Sequence, residues 1–148
     1  MADNNEIKLL RESVRLLERK LGLLNDIQAS CCGVTLAQCH ALVEIGRAGS
    51  ISLNDLADLL GLDKSTMSRT INNLVNNKLV SREIDPKDRR FLMLCLTEAG
   101  RKTFQTIEAK MDLFFNQIYQ TVPEDKRQQV VESLQILIQA LVENPCCE

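Results

Sequence analysis

Three residues, Gly61-Leu62-Asp63, constrain this chain most, because helical spacing runs up to them on one side and away from them on the other. Ser52-Leu-Asn-Asp55 opens a short helix whose predicted buried face is Leu53, Leu56, Leu59 and Leu60. A serine hydroxyl at such a start accepts a first-turn N–H that the helix leaves unsatisfied. Gly61 tolerates the positive φ that ends a helix, and Asp63 caps the next one, from Lys64 to about Asn77. On that second helix Met67, Ile71, Leu74 and Val75 are apolar, whereas Ser65, Thr66, Ser68, Arg69, Asn72 and Asn73 make the other face. A core helix does not leave so many hydrogen-bonding side chains on one side. Two short helices around a three-residue turn, the second with a polar outer face, form a helix-turn-helix pattern.

A hairpin follows. Residues 79–84 and 91–96 read as strands, separated by Asp85-Pro-Lys-Asp-Arg-Arg90, whose Asp-Pro opening is turn chemistry. Lys87, Arg89 and Arg90 put positive charge at its tip. From Lys64 to Lys102 nine cations face four anions, a surplus of +5, while the rest of the chain carries −7. A basic segment in an acidic chain is the footprint of a phosphate-binding face. A major groove roughly 12 Å wide admits one helix, and Lys64, Ser65, Thr66, Ser68 and Arg69 occupy the leading half of the second helix. Its N-terminal N–H groups are also candidates for a phosphate. The cationic hairpin tip suits the narrow minor groove, where negative potential concentrates. Helix pair plus basic hairpin predicts a mainly α fold: a winged helix-turn-helix with a two-stranded β-wing.

Outside this head the chain is helical. Ile7, Leu10, Val14, Leu17, Leu21 and Leu24 form one stripe, broken at Cys31-Cys32-Gly33. Thr35 and Gln38 fit a capping box for a helix stopping near Gly46 to Gly49. Thr97-Glu-Ala-Gly100 caps a long helix with Phe104, Ile107, Met111, Phe114 and Ile118 in line. Pro123 falls in the first turn of the last, lined by Val130, Leu134, Leu137 and Leu141. The predicted division is an N-terminal dimerisation helix (1–34), a DNA-binding lobe (35–100), and C-terminal dimerisation helices with a cysteine-containing tail (101–148). Three such stripes exceed what one lobe buries, which predicts a homodimer. Aromatics at 3% and the absence of Trp favour helix-on-helix packing over a sheet-rich fold. No apolar run approaches bilayer length and the opening residues are polar, so the expectation is a cytoplasmic protein without membrane contact, its six cysteines mostly reduced.

The run from Leu53 through Ile71, then Asp85-Pro-Lys-Asp-Arg-Arg90, then Leu94-Cys-Leu-Thr-Glu-Ala-Gly100, resembles the multiple-antibiotic-resistance regulator (MarR) family. The element order extends the likeness over nearly the whole chain. The resemblance implies a homodimer with interlocked terminal helices, each lobe taking half of a pseudo-palindromic operator on double-stranded DNA. Carried over by position, Ser65, Thr66, Ser68 and Arg69 face the major groove, and Arg90 enters the minor groove, oriented by Asp88. It also implies a repressor released by an effector, which in this family is a small apolar anion, an oxidant or a metal.

No cofactor is required by this reading. Cys31, Cys32, Cys146 and Cys147 form two vicinal pairs at predicted helix ends. Thiolates select thiophilic metals and metalloids, so these four are a candidate metal or oxidant sensor, with a small organic ligand as the other effector class. Cys95 and Cys39 read as packing residues. Glu108 and Asp112, with His40, have metal-site chemistry like that of zinc-responsive relatives, but they read first as a solvated face. An enzyme is disfavoured by the single His, the missing phosphate-cradling loop and the lack of a nucleophile-base pair. The alternative to DNA binding is a winged-helix protein-protein interaction module.

Overall fold

Capping chemistry sets most element boundaries. The computed structural model describes residues 4–145, except for the side chains of 23–32. Helix α1 spans Asn4–Cys32 and ends at Gly33, whose φ is +70°. Helix α2 spans Leu36–Ala48, and both halves of its capping box are made: Gln38 N–H donates to Thr35 Oγ1 at 3.3 Å, and Thr35 N–H donates to Gln38 Oε1 at 3.1 Å. Ser52 Oγ accepts from Asp55 N–H at 3.1 Å to open α3, Leu53–Leu60. Gly61 closes α3 in the left-handed region at φ +63°, and Leu62 N–H returns to Ala57 O at 3.0 Å. Helix α4 spans Lys64–Asn76 behind the Asp63 cap.

The buried face of α3 differs from the expected one. Leu56 and Ala57 are buried and Leu53 and Leu60 half-buried, but Leu59 is exposed. At 100° per residue Leu53, Leu56, Ala57 and Leu60 share a stripe, and Leu59 falls well off it.

The sheet also holds one strand more than the wing. Strand β1, Ile51–Ser52, pairs antiparallel with β3, Leu92–Leu96, which pairs in turn with β2, Val80–Ile84. The registers are Ile51 opposite Leu94 and Arg82 opposite Leu94, so β3 is central. The wing is thereby tied to the residue that caps α3.

The chain divides into two compact units, Met1–Glu108 and Ala109–Glu148. In the first, Leu42, Ile45, Leu56, Met67, Ile71, Leu74, Val80 and Leu94 are fully buried and make one core from α2, α3, α4 and the sheet. Burial of each such side chain stabilises by about 1.5–3 kcal/mol. Helix α1 lies against α2 but leaves Ile7, Leu10, Leu17 and Leu21 exposed. Helix α5 spans Glu98–Thr121 and buries Gly100 and Ile107.

The second unit, the end of α5 followed by a last helix, has no buried residue among those described. Pro123 precedes a single 3-10 turn, Glu124–Lys126, so α6 (Arg127–Glu143) begins a turn later than the proline suggested. Arg127 fastens the junction between the two helices. Its Nε donates to Tyr119 O at 3.0 Å and Val122 O at 3.1 Å, its Nη2 donates to Gln120 O at 3.1 Å, and it lies over the Tyr119 ring. These carbonyls at the end of α5 have no intrahelical donor, and a cation there also opposes the helix dipole.

Candidate nucleic-acid interface

Helix α4 buries Met67, Thr70, Ile71 and Leu74, which turns Lys64, Ser65, Arg69, Asn72 and Asn73 to solvent and leaves Thr66 and Ser68 half-exposed. All five positions expected to read a groove therefore lie outside the core. The start of α4 holds its own anion. Asp63 Oδ1 accepts from Ser65 Oγ at 2.6 Å and Thr66 N–H at 2.8 Å, and Oδ2 accepts from Thr66 Oγ1 at 2.7 Å. Those bonds, led by the Ser65 hydroxyl, hold the Asp63 carboxyl well below the usual carboxylate range. The expected phosphate seat at this helix end is thus altered, because the Thr66 N–H is already taken. Ser65 and Thr66 give their protons inward and keep lone pairs to accept with. Lys64, Ser68 and Arg69 remain the outward donors of the leading turns.

The wing turn is built by two Asp residues. Asp85 Oδ1 accepts from Lys87 N–H at 2.8 Å, and Asp85 N–H closes the hairpin on Phe91 O at 3.0 Å. Asp88 Oδ1 accepts from Arg90 N–H at 3.1 Å and from its Nε at 3.0 Å, while Oδ2 accepts from Nη2 at 2.9 Å. The guanidinium is gripped at two points, yet the side chain is 86% exposed. Its partner's carboxyl is lowered by that same contact, and the Arg90 guanidinium is raised by it. Lys87 and Arg89 are exposed beside it, with no ion pair among the described residues.

A clamp holds the wing's two roots. Thr97 Oγ1 donates to Lys78 O at 2.6 Å and accepts from Gly100 N–H at 3.0 Å, and Thr97 N–H donates to Leu79 O at 3.1 Å. A Cβ on Gly100 would stand 1.9 Å from Leu79 O, so only glycine allows this approach. The Leu-Thr-x-x-Gly motif is therefore a joint between β2, β3 and α5.

One contact was not anticipated. Arg82 Nη2, on β2, donates to Asn72 Oδ1 on the outer face of α4. The alternation Val80, Arg82, Ile84 could have signalled it, since a strand places all three on one face.

Behind the wing, a cleft of about 450 Å³ is lined among others by Ile45, Glu83, Cys95, Leu96, Arg101 and Phe104. Cys95 is half-buried there, its thiol 3.8 Å from Glu83 Oε2, and Cys39 is buried in α2. Among the described residues no three His, Cys, Asp or Glu side chains converge, so His40, Glu108 and Asp112 make no such group. The thiol site expected at Cys31, Cys32, Cys146 and Cys147 lies outside the described residues and side chains. Among the described residues no helix is long and apolar enough to cross a membrane.

The model of the MarR family matches residues 33–90, from the end of α1 to the wing tip. The HTH-type transcriptional regulator YdgJ of Bacillus subtilis is 24% identical over 105 residues, covering 71% of this chain and 64% of its own length. The HTH-type transcriptional repressor MdtR of the same organism is 30% identical over 77 residues, 52% of this chain and 50% of its own. The crystal structure of Streptococcus pneumoniae FabT in complex with DNA superposes with a TM-score of 0.79 at 20% identity, covering 91% of this chain and 98% of that one. At that identity the likeness concerns the fold.

Proposed function

We propose that the chain is a member of the MarR family of transcription regulators and, on that premise, a cytoplasmic homodimeric repressor that binds a pseudo-palindromic operator on double-stranded DNA. The observation that carries this reading is the wing tip: Asp88 fixes the Arg90 guanidinium in a single orientation while leaving it exposed. An arginine so oriented is preorganised for a narrow groove, where the cost of ordering its side chain has already been met. Lys64, Ser65, Thr66, Ser68 and Arg69 face the major groove in this arrangement, and Lys87 and Arg89 flank the minor groove.

Pairing of two chains follows from the exposed stripes. Ile7, Leu10 and Leu17 on α1 and Val130, Leu134 and Leu141 on α6 stand in solvent in the single chain, an apolar display that soluble proteins cover. The repressor sense draws on MdtR, whose name carries it. The effector is a thiophilic metal, a metalloid or an oxidant acting on Cys31, Cys32, Cys146 and Cys147, or else a small organic ligand, for which the cleft beside Arg101 and Phe104 has room.

Operator selection from random duplexes, followed by anisotropy titrations over a range of salt, tests the DNA reading. The expected affinity for the selected site is about 10⁻⁸ to 10⁻¹⁰ M at moderate salt, falling steeply as salt rises. Arg90→Ala weakens all duplexes alike, whereas Arg69→Ala changes which sequence is preferred. Absence of duplex binding, or affinity indifferent to salt, sinks the proposal and favours a protein-docking role. Alanine at all four cysteines separates the effector classes: if the response to oxidant and thiophilic metal is unchanged, the thiol sensor is wrong.

A further inference from the structure

We propose that Arg82 is an additional contact to the DNA backbone, held in place by Asn72, and that this pair joins the reading helix and the wing into one surface. The inference rests on the DNA-binding reading above. Asn72 stands three residues after Arg69 and four after Ser68, so it continues the outward stripe of α4. Arg82 stands opposite Leu94 in the hairpin, and its Nη2 donates to Asn72 Oδ1 across ten residues of chain. The bond spans the two elements that a duplex would engage separately, α4 in the major groove and the wing tip in the adjacent minor groove. The sugar-phosphate strand that divides those grooves must then pass between α4 and the tip, where Arg82 lies.

The chemistry suits that position. A guanidinium has five N–H donors, and the partner found for Arg82 is a neutral amide rather than a carboxylate such as Asp88 beside Arg90. A planar guanidinium left with donors matches a phosphate in two-point geometry. Asn72 accepts through its oxygen, and its NH₂ keeps two donors of its own. Its part is to position Arg82, because a free arginine on an exposed strand would have to order its whole side chain on binding.

The test compares the full-length wild type with Arg82→Ala, Arg82→Lys, Asn72→Ala and the double variant, each titrated with a selected duplex and a random one at several salt concentrations. Arg82→Ala is expected to weaken both duplexes by the same factor, about tenfold, and to lower the slope of log affinity against log salt by about one. Arg82→Lys keeps the slope and loses part of the affinity. Asn72→Ala weakens binding in the wild type and adds little in the Arg82→Ala background, because the two act as one unit. Arg82→Gln serves the same purpose if the alanine variant fails to fold. A purely structural Arg82 would lower the melting temperature and leave the salt slope at its wild-type value. That result, or strictly additive effects of the two alanines, overturns the inference alone. A wild type with no salt-dependent duplex binding overturns the DNA reading and this inference with it.

Discussion

The lobe and the C-terminal unit are both rich in helix, but they are stabilised in different ways. Residues 34–107 carry every buried side chain described, and nearly every helix start there is closed by a side chain of the same stretch: Thr35, Ser52, Asp63 and Thr97. The unit from Ala109 onward has no buried residue among those described, and the junction between its helices is fastened by the Arg127 guanidinium. A segment of this kind cannot offset the entropy of ordering its backbone from its own contacts. The lobe has what a chain needs to fold by itself. In the homodimer proposed above, this C-terminal unit is half of an interface.

The sharpest way to break this comparison is to charge the exposed stripe. With a second copy over α6, Leu134→Glu replaces an apolar contact twice, once in each symmetric chain. The expected cost is about 4 kcal/mol, close to a thousandfold in the dimer dissociation constant. Sedimentation at graded concentrations reads it, and the core of the lobe should stay folded in the resulting monomer. A dimer as tight as wild type would mean that another surface holds the copies together.

Next in size is Gly100→Ala, which acts on the lobe. Its methyl meets Leu79 O at a distance no packing allows, so β2 or α5 must move and the Thr97 clamp opens. Chemical denaturation should show a loss of about 3 kcal/mol, with the association of the chains much less affected. A loss as large in association as in lobe stability would show that the two regions are one cooperative unit. Arg127→Ala then probes the C-terminal unit, removing charge-assisted bonds to three carbonyls at the end of α5. About 2 kcal/mol is expected, read as faster hydrogen exchange confined to 119–130. Uniform exchange over the whole chain would contradict the separation.

The same division decides what was legible in the sequence. Caps are local chemistry between residues three apart, so Thr35 with Gln38, Ser52 and Asp63 could be read before any fold was known. The wing was legible for the same reason, since Asp85 and Asp88 bond within their own turn. Strand β1 was not, because two residues show no alternation and Ser52 already served as a cap. Arg127 also escaped, as its partners are carbonyls, which every residue carries. Asn72 and Arg82 are ten residues apart on different elements, and only the packed lobe brings them together. On α4 the outward positions were legible but the donors were not. That Ser65 and Thr66 turn their protons inward depends on which oxygen of Asp63 each one reaches.

The smallest expected effect concerns that same cap and the acid limit of the lobe. Asp63 is ionised at neutral pH, and its carboxyl lies well below the ordinary range because Ser65 and Thr66 donate to it in the folded chain. A carboxyl depressed by folding contributes stability that is fully present above its unfolded value, about 4. That contribution fades as the pH falls below this value toward the folded one. Asp63→Asn keeps a capping side chain but removes the titration. The variant should therefore be less stable than wild type at pH 5 and above, with the gap closing as the pH drops from 4 toward 2. Parallel melting curves across that window would show that the cap acts by shape rather than by charge. Since Asp63 belongs to the lobe, its variant should leave chain association unchanged at neutral pH. A shift in the dimer constant there would place the start of α4 in communication with the surface that pairs the chains in the proposed homodimer.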